Sequence, residues 1–153
     1  MTLLEKRDAL LAEFAHLTDH QQRLNRLIEL ARARPPLDPA WRTDDGLMTG
    51  CLSRLWFISR FQDGCCHFQS DSDSLIVKAI AGLLCDFYSG QTPEEILTVE
   101  PTFLAQIGLT QHITPNRRHT LARIRENIRA FAQTHAPLGE GGDREAQSSP
   151  AEK

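Results

Sequence analysis

The chain has 153 residues, 41% hydrophobic and 24% charged, a make-up that fits one globular core and is short for two. With 17 Lys+Arg against 20 Asp+Glu and a net charge of -3, it lacks the basic excess that would favour nucleic acid or an anionic membrane surface. Nothing approaches the roughly 18 consecutive apolar residues of a membrane span, and Met1-Thr2-Leu3-Leu4-Glu5-Lys6 does not read as a secretory leader, so a cytoplasmic protein is expected. In that reducing compartment Cys51, Cys65, Cys66 and Cys85 are expected as thiols rather than as a disulfide framework.

Leu3, Leu10, Leu11, Phe14 and Leu17 recur at helical spacing and predict a short first helix. Thr18 followed by Gln21 fits a capping box for a second, whose face of Leu24, Leu27, Ile28 and Ala31 runs until Pro35-Pro36 forbids continuation. Between Gly46 and Ser70 the period changes to two, as Leu55, Phe57 and Phe61 alternate with Arg54, Trp56, Ile58 and Arg60. Asp63-Gly64 tolerates positive φ, which predicts a hairpin of 53–61 with 65–70, and a short strand before Cys51 is expected as a third.

After Asp71-Ser72-Asp73, a run of good N-cap residues, Ile76, Val77, Ile80, Leu84 and Phe87 predict the longest buried helix, ended by Ser89-Gly90. Thr92-Pro93-Glu94-Glu95, Pro101 and Thr114-Pro115 then start two short helices and one longer one, the last with Leu121, Ile124, Ile128 and Phe131 on one face. Beyond Pro137 the sequence turns Gly-, Ser- and charge-rich, so a single domain over 1–136 and a disordered tail over 137–153 are expected. The fold class is α+β, a small three-stranded antiparallel sheet flanked by helices.

No Gly-rich phosphate loop, H-x-x-x-H or paired C-x-x-C occurs, and the six His, at 16, 20, 67, 112, 119 and 135, form no converging set. Adjacent Cys65 and Cys66 on a strand must point to opposite faces, which argues against a joint metal site. Helical phase places Cys85 away from the Ile76 face, beside Lys78 and partly exposed. Cys51 differs. It stands in Met48-Thr49-Gly50-Cys51-Leu52-Ser53 at the entrance to a strand, where Gly50 gives the backbone the freedom a loop tip needs to present a thiol.

Around that cysteine, Gly50-Cys51-Leu52-Ser53-Arg54-Leu55-Trp56 resembles the G-C-x-S-x-V-W signature of the SufE family. Four further segments resemble the family in the same order: Thr18 to Ile28, Asp71-Ser72-Asp73-Ser74-Leu75-Ile76-Val77-Lys78, Tyr88-Ser89-Gly90-Gln91-Thr92-Pro93-Glu94-Glu95-Ile96-Leu97, and Gly108 to Arg117. The resemblance spans about residues 18 to 132. It departs at Thr49 and Leu52, where the family often reads Q-G-C-Q-S, and at Arg118-His119-Thr120, where it reads A-N-G.

The resemblance implies a fold shared with IscU-type scaffolds and a protein of iron–sulfur cluster assembly. Such a protein accepts sulfur as a persulfide on Cys51 from a SufS-type pyridoxal-phosphate cysteine desulfurase, stimulates that enzyme, and passes the sulfur on, with a SufBCD-type scaffold as one acceptor. It would be a carrier and activator rather than a stand-alone enzyme, with no cofactor beyond the transient persulfide and no metal. Arg117, carried over by the resemblance, and Arg54, three residues after Cys51, are candidates to favour the thiolate. An IscU-like scaffold holding a cluster or zinc is the alternative, and a monomer and a homodimer are equally open.

Overall fold

The computed structural model describes residues 2–48, 54–106 and 114–136. Helix α1, Leu3–Ala15, opens on a capping box in which Thr2 and Glu5 satisfy each other's backbone N–H groups, and it buries Leu3 and Phe14. Helix α2, His20–Ala33, is capped by Asp19, whose carboxylate accepts from Gln22 N, so the cap sits one residue later than the Thr18–Gln21 spacing suggests. Thr18 instead donates its N–H to Gln22 Oε1. Arg34 is already extended, as the residue before a proline must be.

Strands β1, Leu55–Gln62, and β2, Cys65–Ser72, pair antiparallel from Leu55 opposite Ser72 to Gln62 opposite Cys65. The turn works as Asp63-Gly64 requires, with φ of 56° and 79°. Among the described residues the sheet has two strands, not three. The expected strand before Cys51 shrinks to one bridge, Leu47 opposite Trp56, with Met48 N–H donating to Leu55 O at 2.8 Å. Chain that would have lengthened it is spent on two 3₁₀ turns, Pro39–Trp41 and Asp44–Gly46, the first capped by the Asp38 carboxylate. On the opposite edge Cys66 pairs with Gln91, and Gly90, at φ 82°, donates to Cys66 O.

Helix α3, Leu75–Tyr88, is the centre of the core, packed against β2, α2 and α6. Helices α4, Pro93–Thr98, α5, Phe103–Gln106, and α6, Pro115–His135, complete the chain; Thr92 and Thr114 cap α4 and α6 ahead of a proline at the first position. Phe87 and Phe103 meet with ring centroids 4.5 Å apart and are almost wholly buried, each burial worth about 2–3 kcal/mol. Helix α3 ends as the Ser89-Gly90 signal predicts. The expected tail, 137–153, lies outside the described residues.

Two long-range contacts fix α3. Lys6 Nζ donates to the carbonyls of Asp86, Phe87 and Ser89, each at 3.0 Å, so a cation closes the negative end of the helix. Desolvation lowers the pKa of this amine, against the pull of Asp86. Arg34 pairs with Asp86 at 2.7 Å and lies flat over Gly82, where any Cβ would come within 2.6 Å of its Nη1.

Candidate functional site: the residues on either side of Cys51

Cys51 falls in 49–53, outside the described residues, so the site is built from what brackets it. On the entry side, Leu47 and Met48 are tied to Trp56 and Leu55 at the start of β1. On the exit side, Arg54 is gripped by the residues that lead into α3. Its N–H donates to Asp73 Oδ1 at 3.0 Å, and its carbonyl accepts from Ser72 Oγ at 2.6 Å and from Asp73 N at 3.3 Å. The segment bearing Cys51 therefore leaves and rejoins the sheet at one place.

The Asp71-Ser72-Asp73 run does more than the capping its composition suggests. Ser74 caps α3, accepting from Val77 N, and Ser72 Oγ accepts from Ser74 N. Asp71 is buried, at 4% exposure; its carboxylate accepts from Leu37 N at 3.2 Å and Ser72 N at 2.8 Å, with Lys78 Nζ at 3.9 Å and Arg42 Nε at 4.0 Å. Arg42 in turn sits 4.4 Å from the Trp56 ring centroid, so the carboxylate and the indole together hold the segment before the loop against β1. Sequence reasoning missed this role of Asp71. Four consecutive cap-competent residues, of which one suffices to start a helix, were the signal that could have shown it.

The two candidate arginines sit at the same end of α3. Arg54 is exposed beside Asp73. Arg117 is half-buried in the first turn of α6, its N–H on Thr114 Oγ1 at 3.3 Å, in a shallow recess with Val77, Ile80, Ala81, Thr120, Leu121 and Ile124. Among the described residues neither guanidinium forms an ion pair.

The remaining cysteines are held differently. Cys65 and Cys66 point to opposite faces of β2 as expected, the first half-buried and the second fully buried. Burial, with smaller contributions from Cys65 and Glu94, pushes the Cys66 thiol up to about 11. Cys85 is buried at 3% exposure, which corrects the expectation that it is partly exposed: α3 is enclosed by α2, β2 and α6, so it has no solvent side at that height. Its thiol is pushed up to about 12 by desolvation. Among the described residues no three His, Cys, Asp or Glu side chains converge as a metal site would need.

The family model for SufE, described as an Fe-S metabolism associated domain, matches residues 8–132. The chain belongs to the SufE family. A solved relative in structure is a hypothetical protein from Thermus thermophilus, known from a solution structure, with a TM-score of 0.65 and 25% identity over 85% of this chain and 95% of that one. Membership of the SufE family places the protein in Fe–S metabolism, with an α+β fold in which the described sheet is a hairpin. Among the described residues no helix is long and apolar enough to cross a membrane.

Proposed function

We propose that the protein is a sulfur acceptor and carrier in iron–sulfur cluster assembly, taking persulfide sulfur from a SufS-type pyridoxal-phosphate cysteine desulfurase onto Cys51 and stimulating that enzyme. The observation that carries this reading is the contrast among the cysteines. Cys66 and Cys85 are buried with thiols held neutral well above physiological pH, whereas Cys51 belongs to a segment bracketed by two backbone anchors and carrying the family motif.

In the transfer, the Cys51 thiolate attacks the outer sulfur of the donor's cysteine persulfide. The donor's S–S bond breaks, its cysteine leaves as a thiolate, and a new S–S bond leaves the persulfide on Cys51, so no oxidant or reductant is consumed. The carrier needs no metal or resident cofactor for this step. Arg54 and Arg117, at the same end of α3, are the cations that would favour the anionic forms. Delivery to a SufBCD-type scaffold in the cytoplasm completes the role. An IscU-like scaffold would need several converging ligands, and burial of Cys66 and Cys85 speaks against their serving as such.

Intact-mass analysis after incubation with a desulfurase and cysteine is expected to show added sulfur, mapped to Cys51 and lost in Cys51→Ser. Sulfur found mainly on Cys65, Cys66 or Cys85 would overturn the assignment. Arg117→Ala is expected to lower the stimulated rate at an unchanged melting temperature, with Arg117→Lys keeping part of it. A melting temperature that falls in step with the rate would make Arg117 structural.

A further inference from the structure

Four large hydrophobic side chains among the described residues are strongly exposed: Leu4, Trp41, Phe61 and Leu75. Phe61 lies at the far end of β1 and is stacked on His135 at 4.6 Å. Trp41 and Leu75 are placed otherwise. Trp41 belongs to the segment entering the Cys51 loop, and Leu75 follows the Asp73 that holds its exit.

Trp41, 44% exposed, is a large indole left in water on a backbone that is well fixed. Its N–H donates to Asp38 O at 2.8 Å, the following Arg42 N–H donates to Pro39 O, and its carbonyl packs 3.4 Å from where a Cβ on Gly46 would be. Gly46 itself lies close against the end of the Ile58 side chain, 2.7 Å from where a Cβ would be. The turn's backbone is hydrogen-bonded and the indole is not part of the core cluster, a combination suited to an anchor that loses little conformational freedom on being covered.

We infer that Trp41, with Leu75 as the second apolar contact, is a docking anchor for the desulfurase that donates sulfur to Cys51. The inference rests on the carrier reading above and adds the surface that the partner covers. Sulfur transfer requires the Cys51 thiolate and the outer sulfur of the donor's persulfide to approach to about 3.5 Å, so the donor must cover the ground around the Cys51 segment. An ordinary interface of about 800 Å² per partner is a disc of roughly 16 Å radius. Trp41 touches Gly46, which is two residues, or at most about 7 Å, from the pinned Met48 at the loop's base. Leu75 is two residues from Asp73, which is bonded to Arg54. A disc centred on the loop's base takes in both, whereas Phe61, six residues along β1 from Leu55 and so about 20 Å away, falls outside. The partner should offer an apolar recess next to its persulfide-bearing cysteine, wide enough for an indole.

The chain has two tryptophans, and Trp56 is 6% exposed, so 5-fluorotryptophan labelling gives one reporter on the surface and one in the core. Titration with a SufS-type desulfurase is expected to shift or broaden the Trp41 fluorine signal, identified by its loss in Trp41→Phe, while Trp56 moves little. Trp41→Ala should raise the desulfurase-stimulation midpoint in carrier concentration by about tenfold at an unchanged maximal rate and melting temperature, and Trp41→Phe should recover most of it. A Trp41 signal that stays put at saturating desulfurase, or a Trp41→Ala midpoint equal to wild type, would overturn the inference. Because the fluorine titration reads docking and mass mapping of Cys51 reads sulfur, failure of the carrier reading and failure of the anchor are seen separately.

Discussion

At its N-terminal end α3 is joined to the rest of the molecule through side-chain oxygens, those of Asp71, Ser72 and Asp73, which reach the backbone of Leu37 and Arg54; at its C-terminal end one cation, Lys6, gathers three carbonyls. The first end adjoins the candidate site and the second does not. One helix thus couples two tasks, and the difference teaches that the polar groups at the site end set where the Cys51 segment starts and stops, while those at the other end only close the fold.

Removing Asp71 should do the most damage. Asp71→Ala strands the N–H groups of Leu37 and Ser72 and leaves Lys78 and Arg42 without their buried anion, at a cost of about 3 kcal/mol in stability, and sulfur acceptance should fall with it. Denaturant unfolding beside the desulfurase assay checks both, and an intact rate in a destabilised protein would sever the site from this end of the helix. Lys6→Met should cost about 2 kcal/mol, since charge-assisted bonds to three carbonyls and the dipole contact are lost together. Its rate with saturating desulfurase, measured well below the melting temperature, should equal wild type; a lower rate would show that the two ends are not separate.

A smaller effect comes from the middle of the core. The folded-state pKa of Cys66 is raised, so its contribution is fully present below the ordinary thiol value of 9.0 and is lost as pH rises toward about 11. Stability should drop by about 1 kcal/mol from this thiol by pH 10, because the unfolded chain gives up the proton first. Denaturant midpoints at about pH 7.5 and 10 should show a weaker fall in Cys66→Ala than in wild type, and parallel falls would remove the thiol as the cause.

Local signals carried most of the element order. Asp63-Gly64, Thr92-Pro93, Thr114-Pro115 and Ser89-Gly90 each act within a few residues, so the hairpin and the helix ends could be read directly. The SufE motif around Cys51 is a local signal too, and it names a candidate site that lies outside the described residues. What escaped reading depends on chain that is distant in sequence. Nothing near Lys6 marks it as the closure of a helix 80 residues away, and helical phase alone cannot tell that α2, β2 and α6 enclose α3 at Cys85. The third strand failed for a related reason: alternation says a segment can be a strand, but not that two 3₁₀ turns have consumed its length.

The single bridges on either side of the hairpin have a consequence for how the protein behaves in a crowded solution. An unprotected two-stranded ribbon offers two rows of backbone groups on which another chain can add. Here Met48 occupies the outer edge at Leu55, while Gly90 and Gln91 occupy the other at Cys66 and the Ser89 hydroxyl takes the N–H of Phe68. Among the described residues, the edge of β1 left unpaired runs towards the tip, where Arg60 and Gln62 are exposed and the Asp63-Gly64 turn ends the ladder, whereas on β2 it is the part near the tip that is covered. Each strand of the ribbon is thus closed over part of its length to templated strand addition, β1 at its apolar start and β2 near the tip, which resists growth into aggregates at no cost in additional strands.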